Sequence, residues 1–121
     1  VFLSIKGNDS EVRSISWDVT GKYIASVGKE SVRLWSVFTG GQCLYEIHSK
    51  GNNFHSCTFH PGYPLVVVIG SYQSLCLWNP SLSSTIESIQ AHNGLIASLA
   101  SSPATGLLAS ASHDQCLKLW R

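Results

Sequence analysis

Three tryptophans, Trp35, Trp78 and Trp120, recur at steps of 43 and 42 residues, and each closes a similar tail. Residues 31–35 read SVRLW, 74–78 read SLCLW and 116–120 read CLKLW. The clearest copy, 91–120, has a small residue and His92, an Ala/Leu/Ile/Ser run, a Ser-Pro-Ala-Thr-Gly turn, a second apolar run, a Ser-His-Asp turn and the Trp tail. A period of about 40–45 residues built from short strands marks a repeat architecture, in which each unit buries its apolar faces by stacking on its neighbours.

Within each copy the strands are legible. Residues 12–17 alternate apolar and polar, the period-two pattern of a half-buried strand. The turn 18–21 follows, where Gly21 is free to take positive φ, then strands at 23–27, 32–35 and 43–47, with turns at 28–30 and 39–41. The second copy predicts strands at 54–59, 65–69, 75–78 and 85–89, with turns at 60–64 and 71–73 and a polar loop at 79–84. Its Val-rich run at 65–69 lacks alternation, as expected of a strand covered on both faces. The third copy supplies 95–100, 107–111 and 117–120, and a further strand at 1–5 with a turn at 7–10 precedes the first. No stretch has helical apolar spacing beyond a turn or two, so the expectation is all-β with four strands per unit.

Length allows one domain. Apolar residues make up 44% and charged residues 12%, with net charge +1, which excludes the disordered class and provides no cationic footprint for nucleic acid or a membrane surface. The longest apolar run, 65–69, is far too short to span a bilayer, and the N-terminus does not read as a signal peptide. Without an initiator Met, and stopping just after a closing Trp-Arg, the chain reads as a piece of a longer protein. Cys43, Cys57, Cys76 and Cys116 are widely spaced, without a CxxC pair and beside apolar runs, which predicts buried thiols of an intracellular protein rather than disulfides.

Taken together, these residues resemble the WD40 repeat, a four-stranded propeller blade of this period. The fold implied is an all-β WD40 β-propeller fragment of about three four-stranded antiparallel blades, with repeats at about 8–47, 50–89 and 91–121. Residues 1–5 would complete the preceding blade. On its own such a piece exposes sheet edges and apolar faces, and is expected to be marginal or self-associating. The resemblance also implies a structural tetrad in the third copy: His92, Ser110, Asp114 and Trp120, linked by hydrogen bonds. The other copies depart from it. Asn8 and Lys50 stand where His92 does, while the Asp114 position falls on Lys29 or Glu30 and on Tyr72 or Gln73. Those two blades are expected to rely on packing and the backbone ladder alone. The stretch FHPGYPLVVVIGSYQSLCLWN, with AHNGLIASLA, TGLLASASHD and the terminal KLWR, further resembles the C-terminal blades of plant LEUNIG-type transcriptional co-repressors, which are similar in design to Groucho and Tup. That resemblance implies a nuclear, non-catalytic scaffold whose partners are transcription factors, an adaptor, and Mediator or histone deacetylase subunits. A substrate adaptor of a ubiquitin ligase or signalling complex is the alternative, because fold alone does not choose between them.

Catalytic and metal readings are weaker. Ser110, His92 and Asp114 have the residue types of a hydrolase triad, but no Gly-x-Ser-x-Gly elbow surrounds Ser110. His55, Cys57 and His60 could suggest a metal, yet on a strand His60 faces away from the other two. Walker, dinucleotide and HExxH motifs are absent from the sequence, so no enzyme activity, cofactor or metal is expected. The recurring tryptophans read as blade core rather than as a stacking platform for nucleic acid. What remains is protein recognition. The end carrying the second-to-third-strand turns and the approaches to the first strands offers Glu11, Arg13 and Lys29 in copy one, Asn53, His55 and Tyr72 in copy two, and Leu95, Ala97 and His113 in copy three. Arg13 and Tyr72 lead the set, being favoured anchor types at interfaces.

Overall fold

A computed structural model of the chain describes residues 3–6, 11–82 and 86–121. Its regular structure is entirely antiparallel strand: β1 Ser14–Trp17, β2 Tyr23–Val27, β3 Ser31–Ser36, β4 Gln42–His48, β5 Ser56–Phe59, β6 Val67–Gly70, β7 Tyr72–Trp78, β8 Glu87–Ser102, β9 Leu107–Ser112 and β10 Leu117–Trp120. One sheet has the order β1-β2-β3-β4, and a six-stranded sheet has the order β10-β9-β8-β7-β6-β5. This is the all-β propeller-fragment architecture.

The six-stranded sheet arises because β8 serves two copies. Its first part pairs with β7 from Leu77↔Glu87 to Ser74↔Gln90, and its last part pairs with β9 from Ile96↔Ser112 to Ser102↔Leu107. The chain thus passes from the outer strand of the second blade to the inner strand of the third without reversing, where the sequence suggested two separate strands. The third blade has three strands, not four.

Strand register assigns the faces. In the first sheet Ala25↔Leu34 and Val27↔Val32 lie on one side, while Ile24↔Trp35 and Ser26↔Arg33 lie on the other. The first side packs on Phe54, Cys57, Phe59, Val67, Ile69, Cys76 and Trp78 in one buried cluster. The opposite side of the second blade, through Val68 and Leu75, packs on Ala91, Ile96, Leu108 and the partly buried Trp120. Each fully buried aliphatic or aromatic side chain in these seams contributes about 1.5–3 kcal/mol. The two end faces lack such cover: Ile15 is 60% exposed on one, and Leu117 and Leu119 are 68% and 64% exposed on the other.

Several local expectations are corrected. Residues 3–6 carry no strand, while residues 1–2, the turn at 7–10 with Asn8, and residues 83–85 lie outside the described residues. The strand expected at 65–69 begins only at Val67. His60 Nδ1 accepts from the Gly62 and Tyr63 N–H groups, and the return needs Leu65 at φ 64° before β6 can pair. Tyr72 belongs to β7 rather than to a turn, with a bulge between Tyr72 and Ser74 and Gln73 at φ 67°. Cys57 and Cys76 are buried, but Cys43 is half-buried and Cys116, in the turn just before the edge strand β10, is exposed.

Gly70 ends β6 where the second and third blades meet. A Cβ there would meet Ser56 Oγ and lie 2.7 Å from Ile96 Cγ2 and 3.0 Å from the Ile96 carbonyl oxygen. Ser56 Oγ donates to that same carbonyl at 3.0 Å, so the seam has no slack. Gly70→Ala should destabilise a propeller containing this segment by about 1–3 kcal/mol, read as a shift of its urea or thermal midpoint.

Candidate protein-interaction site

A hydrogen-bonded chain runs through the third blade. Trp120 Nε1–H donates to Ser110 Oγ at 2.9 Å, Ser110 Oγ lies 2.7 Å from His92 Nε2, and His92 Nδ1 lies 2.9 Å from Asp114 Oδ2. With a neutral imidazole every donor finds an acceptor: indole to hydroxyl, hydroxyl to Nε2, and Nδ1–H to carboxylate. His92 and Ser110 are buried, where an unpaired polar group costs about 1–3 kcal/mol. Asp114 gathers more than the imidazole. It accepts from the Asn93 N–H at 3.0 Å and the Cys116 N–H at 2.9 Å, which fastens the β9–β10 turn to the middle of β8. Ser110 has no exposed surface and its oxygen already accepts from an indole, so this Ser-His-Asp set has the distances of a triad without access to a substrate.

The first blade keeps half of this chain. Trp35 Nε1–H donates to Ser26 Oγ at 2.9 Å. Ser26 stands two residues beyond Ile24, the cross-strand partner of Trp35, just as Ser110 stands two beyond Leu108, the partner of Trp120. The expectation that this blade has no side-chain network is therefore corrected. Sequence alignment on the turns missed Ser26 because the third blade's turn is one residue longer. In the second blade Ile69 takes the equivalent position, two beyond Val67, the partner of Trp78.

Three of the nine candidate interaction residues, Glu11, Asn53 and His55, converge on the guanidinium of a fourth, Arg13. Arg13 Nη1 donates to Asn53 Oδ1 at 2.7 Å and to the Phe54 carbonyl at 3.1 Å, and lies 3.2 Å from His55 Nε2. Its Nε donates to Glu11 Oε1 at 3.3 Å. Arg13 is thus a tie between the first two blades as well as a surface group, with a side chain 19% exposed. His55 must accept from it, and its pKa lies below the ordinary value through burial first, then the positive charge of Arg13 and the nearby His113. Lys29 is exposed, and its carbonyl accepts from the Phe54 N–H at 2.9 Å. Tyr72 pairs with Leu95 across the sheet, and the Leu95 carbonyl accepts from the His113 N–H at 2.9 Å, so these three sit side by side. Ala97 is exposed at the bulge two residues further along β8. Tyr72 is 60% exposed and projects from this group without a side-chain hydrogen bond among the described residues. Gln73, which the sequence gave no reason to select, joins in through Nε2 donating to the Asn93 carbonyl at 3.3 Å.

The metal reading of His55, Cys57 and His60 does not assemble. Cys57 Sγ points between blades to the Ala25 carbonyl at 3.8 Å, burial pushes its thiol up to about 12, and His60 Nδ1 is occupied by its own turn.

Stacked antiparallel sheets, repeated Ser–Trp bonds and turns gathered at one end define a WD-repeat propeller segment. The chain belongs to this family: the model described as "WD domain, G-beta repeat" matches residues 2–36 and 83–121. The unmatched middle is where Ile69 replaces the serine. Among individual relatives, the chain is 44% identical over 96% of its length to "Transcriptional corepressor LEUNIG_HOMOLOG" of Arabidopsis thaliana. It is 28% identical over 98% of its length to "WD repeat-containing protein 3 homolog" of Dictyostelium discoideum, and 27% identical over 98% to the human WD repeat-containing protein 3. The chain spans 14% of the first relative and 12% of each of the others. Family and relative both point to non-enzymatic scaffolds.

Two expectations follow. The Asp114 carboxylate lies below its ordinary 3.8, chiefly through the Asn93 N–H; slight burial opposes this, while Cys116, His92 and Ser112 add to it. The unfolded chain therefore takes up the proton first, so this stability is complete above about pH 4 and is lost as pH falls further. Melting temperature of the parent propeller should fall on acidification below pH 4, and less steeply in Asp114→Asn; Asp114→Ala should lower it clearly at neutral pH. At the candidate interaction face, Arg13→Ala should lower the melting temperature by breaking the tie to Asn53 and Phe54, while Tyr72→Ala should leave it unchanged.

Proposed function

We propose that this segment belongs to a non-catalytic scaffold, a nuclear transcriptional co-repressor whose propeller bridges transcription factors and repression machinery. The observation that carries the reading is the 44% identity over nearly the whole chain to a plant transcriptional corepressor. The geometry fits a binding role. Arg13 is fixed by several acceptors and Tyr72 stands exposed on a paired strand, so both present surface at little further loss of side-chain freedom. Glu11, Lys29, Asn53, His55, Leu95, Ala97 and His113 would form the surrounding contact area. The remaining blades of the same propeller would cover the apolar ends at Ile15 and at Leu117 and Leu119.

The test is affinity capture from nuclear extract with the intact propeller, read by mass spectrometry. Transcription factors together with Mediator or histone deacetylase subunits should be recovered, and Tyr72→Ala should reduce that recovery while the protein melts normally. Recovery of cullin-ligase subunits in their place would instead assign a ubiquitin-ligase adaptor role.

A further inference from the structure

Residues 53–55 form the approach to β5 and are fastened from both sides. The Phe54 N–H donates to the Lys29 carbonyl of the first blade at 2.9 Å, and the His55 N–H donates to the Gly70 carbonyl of the second at 2.8 Å. Phe54 has no exposed surface. The backbone is therefore held in place, and rearrangement at this point of the seam falls to the side chains.

The side chain that can change state is the His55 imidazole. Arg13 Nη1 lies 3.2 Å from its Nε2, and the same nitrogen donates to Asn53 Oδ1 at 2.7 Å and to the Phe54 carbonyl at 3.1 Å. A guanidinium stays charged across the whole range in which proteins are folded and offers no acceptor. Nε2 must therefore present a lone pair, which requires a neutral ring with its proton on Nδ1. A proton added at Nε2 turns the acceptor into a donor and sets two cations face to face. His92, the other imidazole tied into a side-chain network, differs on this point, because it faces the Asp114 carboxylate at 2.9 Å.

The surrounding charges do little to relieve that conflict. Burial first, then Arg13 from the approach to β1 and His113 from the β9–β10 turn, hold the His55 pKa below its ordinary 6.5, and Glu11 opposes them. The Glu11 carboxylate is engaged by Arg13 Nε at 3.3 Å on a side chain 72% exposed, where water screens it. Lys29, exposed in the β2–β3 turn, brings positive rather than negative charge. Beside it Glu30 accepts from the Gly51 N–H, and Asp114, next to His113, accepts from the Asn93 and Cys116 N–H groups.

We propose that His55 is a protonation switch on the tie between the first two blades. Neutral, it receives Arg13 and the guanidinium stays on the seam. Protonated, it expels the guanidinium, and the bonds to Asn53 and the Phe54 carbonyl are lost with it. The unfolded chain takes up this proton first, so the stability contributed by the tie is complete above about pH 6.5 and declines as pH falls below it. That window lies apart from the one set by Asp114, which opens only below about pH 4. The same proton decides whether Arg13 is held on the seam or released to solvent at the candidate interaction face. The switch itself does not depend on that face having a partner.

The experiment compares thermal melts of the intact propeller at roughly pH 7.5 and pH 5.5, together with an NMR titration of its histidine Cε1–H resonances. His55→Gln identifies the His55 resonance by its loss, and its amide oxygen keeps a neutral acceptor for Arg13 at every pH. Acidification over this interval should lower the melting temperature of the unaltered propeller by about 2 °C or more beyond any fall in His55→Gln. His55 should titrate below its ordinary value, and its midpoint should rise by about half a unit or more in Arg13→Gln, which removes the facing cation. Equal pH slopes in His55→Gln and the unaltered propeller, a His55 midpoint at or above the ordinary value, or a midpoint unmoved by Arg13→Gln would each overturn the proposal. Should Arg13→Gln fail to fold, the paired melts and the titration of the unaltered protein still decide it.

Discussion

The inner blade has two apolar faces, and that constraint governs the rest of the structure. Val67 and Ile69 of β6 point one way and Val68 the other, so a neighbour is required on both sides. The first blade satisfies one face through Ala25, Val27, Val32 and Leu34, and the third satisfies the other through Ala91, Ile96 and Leu108. Stability is therefore additive over seams rather than concentrated in one centre. A seam that leaves so little room at Gly70 also fixes the angle between blades. That angle decides how far apart Arg13 and Tyr72 are held.

Polar groups divide the work differently in each blade. In the third, burial of an imidazole, a hydroxyl and an indole is tolerated because one carboxylate at the blade edge closes the chain of donors. In the first, the Ser26–Trp35 bond stands at the same register, while Arg33, almost fully buried, is offset by Glu46 and Ser31. In the second, Ile69 removes the need for a partner at that register. The gradation suits a stack in which an apolar seam and a polar chain are interchangeable, provided no buried donor is left alone.

Much of this was legible in the sequence, for definable reasons. The tryptophan period and the period-two patterning marked the repeats, whereas His92, Ser110, Asp114 and Trp120 were singled out by the resemblance to the WD40 repeat. What the sequence hid depends on register. Ser26 is identified only by counting from the cross-strand partner of Trp35, since turns of unequal length displace a linear alignment. The continuity of β8 was concealed by Asn93 and Gly94, which resemble a turn but allow close approach to the Asp114 backbone. The delayed start of β6 follows from hydrogen bonds to His60 that no composition rule anticipates.

In the candidate interaction face, structure and proposed recognition would share residues. Arg13 reaches across the seam to Asn53 and the Phe54 carbonyl, so the group best suited to meet a partner also holds two blades in register. That sharing has a thermodynamic sense. A long side chain already immobilised by intramolecular acceptors loses little further freedom on binding, and its cost is met during folding. Tyr72 reaches the same end by another route. Its backbone is fixed by pairing with Leu95, its ring has two rotatable angles, and most of its surface is free. An anchor of the first kind couples affinity to fold stability, and an anchor of the second kind does not. If the proposed face binds partners, one containing both would exchange them by changing Tyr72 and its neighbours while Arg13 remains committed to the seam.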